Sequence, residues 1–206
     1  MVVCIFSFFF MTLKKLLWLF LLATVLSACP FESTVPLATV PAEPVDTSLI
    51  GYWYGIIKDG SDFFGIEALD ITQKSDSVYA ITRYGKAVKG DMILPDTAYF
   101  TGYVTYIGEQ RFMNIEGSVA LPDNRNKKSP KTIMTRVYYA SAIERRHDTL
   151  DVRTITETFS AKKFYNRPED FQQAVSSLIN QQKNVFDEQY SLKYRKIIKP
   201  QPLKSP

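Results

Sequence analysis

The chain has 206 residues with 25 basic and 21 acidic side chains, a formal charge of +4. That length suits one domain with a real core and is tight for two. So mild a basic excess argues against a dedicated nucleic-acid binder, while 12 Tyr and 14 Phe lean towards β structure.

Residues 11–29, MTLKKLLWLFLLATVLSAC, combine a basic pair (Lys14, Lys15), an apolar run over 16–26 and the small residues Ser27 and Ala28 before Cys29. This is the layout of a secretory signal, and the run is shorter than the about 20 residues a spanning helix needs. Residues 1–10 are apolar and uncharged, so Met11 is the expected start. The ending Leu26-Ser27-Ala28-Cys29 resembles the lipobox of bacterial lipoproteins. That resemblance implies cleavage after residue 28, lipidation of Cys29 and a membrane partner reached through the acyl chains. Pro30, rather than Asp, after Cys29 implies an outer-membrane address, with the domain facing the periplasm. With Cys4 removed and Cys29 acylated, no disulfide is available. Without Lys14 and Lys15, 23 basic side chains face 21 acidic ones.

Residues 29–48 carry prolines at 30, 36, 41 and 44 and no hydrophobic period, which predicts an extended linker. The globular part then opens at Leu49. Residues 49–57 read as a first strand ended by Lys58-Asp59-Gly60-Ser61-Asp62. Residues 63–73 make a second, with Glu67, Leu69 and Ile71 on one face, and 78–84 a third, with Tyr79 and Ile81 together. A short strand over 91–94 is expected to stop at Pro95. Residues 97–107 and 111–121 form a hairpin; the first strand has Tyr99, Thr101, Tyr103, Thr105 and Ile107 on one face and Phe100, Gly102, Val104 and Tyr106 on the other, and the second has an inward face of Met113, Ile115, Gly117, Val119 and Leu121. Pro122 to Lys131 reads as a basic hairpin tip that could touch an envelope protein partner. Residues 131–142 and 150–164 are two more strands, and the apolar phase slip between Val152 and Ile155 predicts a bulge near Arg153 and Thr154.

At Pro168-Glu169-Asp170 the period changes to that of a helix, with Phe171, Ala174, Val175, Leu178 and Ile179 on one face. Residues 49–165 are thus expected to form an antiparallel β domain, 166–190 a C-terminal helix packed on it, and 191–206 a mobile, basic, Pro-rich tail. The expected fold class is mainly β: an antiparallel up-and-down barrel or strongly curved meander sheet of about 7–9 strands.

No chemistry-bearing constellation stands out. His147, the single histidine, falls in a turn beside Arg145, Arg146 and Asp148, where exposure is expected. No His/Cys cluster has metal-ligand spacing, and there is no phosphate loop or nucleophile elbow. Glu67, Asp70, Glu116 and Glu157 are strand acids of the kind that usually face solvent. Catalytic residues, metal and cofactor are therefore expected to be none, the chain is expected not to be an enzyme, and no ligand-contacting residue is assigned.

Gly51-Tyr52-Trp53 resembles the Gly-x-Trp signature at the first strand of lipocalins and related calycins. The resemblance implies that Trp53 closes one barrel end with a late-strand arginine packed across it, Arg153 or less readily Arg136. It also implies an interior that takes a small apolar or amphipathic ligand. The alternative is a structural or interaction lipoprotein with a filled β core.

Overall fold

The computed structural model describes residues 31–59, 63–89, 92–123, 131–156 and 164–198. Cys29, most of the basic 122–131 loop, Glu157 and residues 199–206 lie outside the described residues.

Eight strands run in chain order: β1 Gly51–Asp59, β2 Phe63–Ser75, β3 Val78–Lys89, β4 Met92–Ile107, β5 Gln110–Asp123, β6 Lys131–Arg146, β7 Thr149–Ile155 and β8 Phe186–Ile197. Helix α1, Pro168–Asn180, lies between β7 and β8. Each strand pairs antiparallel with the next, and β8 returns to β1, so the sheet closes into a barrel.

The alternation decides the faces. Trp53↔Leu69↔Arg83↔Ala98 lie in register across β1 to β4, and Gly102↔Ile115↔Tyr139 across β4 to β6, all with their side chains inward. Pro95 does not end a strand. It sits opposite Lys86 beyond the last β4–β5 pair, Thr101↔Glu116, where β4 bonds to β3 alone and a missing N–H is tolerated.

Two clusters stabilise the barrel. Inside, at one end, Leu49, Trp53, Ile71, Tyr79, Val104, Met113, Ile143 and Leu150 are buried together. Outside, Phe112, Ala140, Ala142 and Ile155 are covered by Phe171 and Val175 of α1 and by Phe31, Leu37 and Tyr165. The apolar phase slip in β7 has this cause: Leu150 and Val152 face in, whereas Ile155 faces out beneath the helix. Pairing with β6 stays regular through Arg153 and Thr154. The irregularity falls on the β8 side, where Arg153↔Ser191 is followed by Ile155↔Phe186.

Two expectations about the chain ends are corrected. The helix stops at Asn180, and residues 186–197 are strand rather than helix followed by tail. Leu192 and Tyr194 face the interior opposite Val152 and Leu150, while Lys193 and Arg195 face water, so the period is two. Residues 31–48 are no free linker. Ser33 exchanges two backbone hydrogen bonds of 2.9 Å with Tyr138, Phe31 N–H donates to Ile155 O, Ala42 N–H to Val104 O and Val45 N–H to Asp76 O. Isolated backbone contacts of this kind impose no side-chain period, so proline content dominated the sequence pattern.

Asn114 holds this segment to the wall. Only 1 % exposed, its Oδ1 accepts from Leu37 N at 2.7 Å and Ala38 N at 3.3 Å. Asn114→Ala leaves both N–H groups without that acceptor and is expected to cost about 1–3 kcal/mol, read as a lower midpoint of urea unfolding.

Candidate ligand-binding cavity

Residues 42–50 cross one barrel end and seal it. Arg111 forms ion pairs with Glu43 and, at 3.2 Å, with Asp46, and Tyr106 also donates to Glu43. Asp46 N–H donates to the Tyr79 hydroxyl at 2.6 Å. Beneath this strap Trp53 is fully buried and its Nε1–H donates to Leu49 O at 2.8 Å. Lys196 Nζ stands over the indole, 5.2 Å from the ring centroid, and donates to Ser48 O at 3.0 Å.

The structure therefore puts Trp53 at a closed barrel end, but neither arginine beside it. Arg153 is on the outward face of β7, its guanidinium 4.8 Å from the Phe186 ring centroid. Arg136 is exposed on the outer wall, paired with Glu116 at 3.0 Å. The parity of each strand forces this, because the inward residues are even-numbered on β7 and odd-numbered on β6. The cation over Trp53 comes from β8, which the sequence reading placed in a tail.

Above the Trp53 floor the barrel is hollow, with a cavity of about 920 Å³. Its walls are mainly apolar, among them Leu69, Ile81, Phe100, Ile115, Val152 and Leu192, and the lining continues to exposed Tyr99 and Met134 at the other end. Small residues make the room. A Cβ on Gly117 would meet the Phe100 ring at 2.8 Å, and one on Gly55 the Tyr194 ring at 2.9 Å, so both aromatics lie flat against bare backbone.

A charged group of side chains interrupts the apolar wall. Glu67, 7 % exposed, accepts a hydrogen bond from the Tyr194 hydroxyl and stands 3.8 Å from Arg83 Nη1, while Arg83 Nη2 reaches Asp96 Oδ2 at 2.7 Å. Burial pushes the Glu67 carboxyl above the usual carboxylate range, and the Tyr194 hydrogen bond and the Arg83 charge offset this only in part. The Tyr194 hydroxyl is raised well above its ordinary value by burial, with the Glu67 charge adding to it.

No family model, curated protein or solved structure matches the chain.

Of Glu67, Asp70 and Glu116, Glu67 is the one turned into the cavity. Glu116 pairs with Arg136 on the outer wall, and Asp70 follows the outward register of β2. The signal was present in the sequence: Glu67 is in phase with Leu69 and Ile71, and Arg83 with Tyr79 and Ile81, so both break an otherwise apolar face. His147 occupies the β6–β7 turn with φ 53°, exposed. No group of three or more His, Cys, Asp or Glu among the described residues could hold a metal ion.

A carboxyl with a raised pKa binds more protons folded than unfolded, so its contribution favours folding at acid pH and fades as pH rises from the ordinary carboxyl range through the raised value. Glu67→Gln keeps the acceptor for Tyr194 and removes the charge. It is expected to raise the melting temperature at neutral pH, with the gain shrinking as pH falls through the raised value into the ordinary carboxyl range. Thermal scans across pH check this.

Proposed function

We propose that the chain is a lipid-anchored protein of the bacterial cell envelope whose barrel holds a small apolar or amphipathic molecule. The observation that carries the ligand reading is the cavity of about 920 Å³, within the size range of sites that enclose small molecules. Its apolar wall supplies contact area, and the Glu67–Arg83–Asp96 group at one side supplies orientation. A filled β core, required by the purely structural alternative, is at odds with that volume.

The anchor reading rests on Leu26-Ser27-Ala28-Cys29 and on the basic and apolar residues before it. The outer membrane, with the domain facing the periplasm, is the proposed address. Lipidation at Cys29 would leave Pro30 alone between the acylated residue and Phe31, which is buried against the barrel wall. At about 3.3–3.6 Å per residue, the barrel would be held close to the bilayer surface rather than on a long spacer.

Two measurements test the proposal. Labelled palmitate should enter the full chain when it is expressed in bacteria and should be absent from Cys29→Ser; equal labelling of the two would refute the anchor. A fluorescent lysolipid titrated into the purified chain should bind saturably at one site, and a linear, unsaturable signal would refute the ligand reading.

A further inference from the structure

Among the described residues that line the cavity, two carboxylates, Glu67 and Asp96, face one cation, Arg83. Four polar groups from four strands face one another: Glu67 of β2, Arg83 of β3, Asp96 of β4 and Tyr194 of β8. Arg83 commits its short contact, 2.7 Å, to Asp96 and stays 3.8 Å from Glu67. Tyr194 donates a hydrogen bond to Glu67 but carries no charge. The next polar group on the wall, the Tyr139 hydroxyl, is bonded at 2.9 Å to a third carboxylate, Glu32. Arg83 is the only cation among the described residues that line the cavity.

Of the charged groups, Glu67 is shielded from water, its side chain 9 % exposed, whereas Arg83 and Asp96 are 37 % and 41 % exposed. A buried carboxylate without a full counter-charge is costly, and a cation within hydrogen-bond reach relieves that cost. A second anion would raise it. An incoming carboxylate that reached the free Nη donors of Arg83 would sit between two carboxylates, Glu67 at 3.8 Å from Nη1 and Asp96 at 2.7 Å from Nη2. Arg83 Nε–H is buried without a partner.

We infer that the barrel selects amphiphiles whose head is a protonated amine, with the alkyl chain among Leu69, Ile115 and Val152 and the ammonium donating to the carboxylates of Glu67 and Asp96. The inference rests on the reading that the cavity holds a ligand. It makes Glu67 a binding residue kept in the wall for recognition rather than for stability.

Decylamine, decanol and decanoate, matched in chain length, separate head from tail. Each is used below its micelle threshold at neutral pH to displace a fluorescent apolar probe from the full chain. Decylamine should compete about tenfold better than decanol, the equivalent of one favourable charge contact, and decanoate should be weakest. Glu67→Gln should bring decylamine down to the level of decanol while leaving decanol unchanged. Asp96→Asn, at a more exposed position, should reduce the same preference and gives an independent test at the second carboxylate. The amine-to-alcohol ratio within one variant is insensitive to a general loss of folded protein.

Decanoate competing as well as decylamine would overturn the selection while leaving the cavity as a ligand site. So would an amine preference that survives both substitutions. If none of the three displaces the probe, the ligand reading falls and the selection falls with it.

Discussion

Trp53→Ala is expected to cost the fold about 3–5 kcal/mol, the range for truncating a fully buried large aromatic. Three losses add up at this position. The indole is the floor of the interior cluster, in contact with Leu49, Ile71 and Leu150. Its Nε1–H ties the first strand to Leu49 O at 2.8 Å. Its ring faces the Lys196 ammonium, which also holds Ser48 O and so joins β8 to the strap across the barrel end. Urea unfolding should show a strongly lowered midpoint. A change below about 1 kcal/mol, the scale of a surface substitution, would mean that the closed end does not depend on the tryptophan. Arg153→Ala provides the contrast: that side chain lies outside over Phe186, and its loss should leave the closed end intact.

Ile115→Trp is expected to weaken ligand binding strongly with little loss of stability. Ile115 projects from mid-β5 into the cavity, paired across the wall with Gly102 and Tyr139. A larger side chain in a packed core forces strain of about 1–3 kcal/mol, but here it enters empty space and adds contacts. The unfolding midpoint should therefore stay within about 1 kcal/mol of the parent. The volume available to an alkyl chain falls, and apparent affinity for an apolar probe should drop at least tenfold, roughly the value of losing one or two buried methylenes of contact. A variant that is stable and still binds with unchanged affinity would place the ligand outside the barrel.

These two substitutions also mark where the sequence was legible. The period of two in Met113, Ile115, Gly117 and Val119 gives the inward face of β5 directly, and Gly51-Tyr52-Trp53 marks the strand that carries the closed end. Both features are local, since alternation and a buried aromatic are set within a few residues. The closure of the sheet is not local. It depends on β8, where Phe186 and Tyr190 continue the apparent helical spacing of α1 and the sequence ends in prolines, so the strand period of Leu192, Tyr194 and Lys196 is masked from both sides. The strap over residues 31–50 escaped for a different reason. Its Phe31, Leu37 and Leu49 are buried at irregular intervals, held by Asn114, Val104 and Asp76, partners that no pattern within the segment announces.

The cavity group shows the same division. That Glu67 and Arg83 share faces with apolar neighbours is readable from alternation. That they meet, with Asp96 and Tyr194, depends on the register of β2 with β3, β3 with β4 and the closing contact of β8. Tyr194 stands opposite Gly55 because only a glycine leaves room for its ring there, with an added Cβ 2.9 Å from the ring and 3.2 Å from Lys193 O. Gly55→Ala should therefore shift Tyr194, weaken its bond to Glu67 and lower the melting temperature, with the same shift reported by Tyr194 ring resonances.

Occupation of the barrel interior by ligand in solution decides between a binding protein and a structural one. Titration of the purified full chain with a fluorescent lysolipid, followed to saturation and repeated with Ile115→Trp, measures this directly. One site per chain in the parent, weakened about tenfold or more in the variant, is the predicted result; no saturable site in the parent, or equal affinity in both, would contradict it.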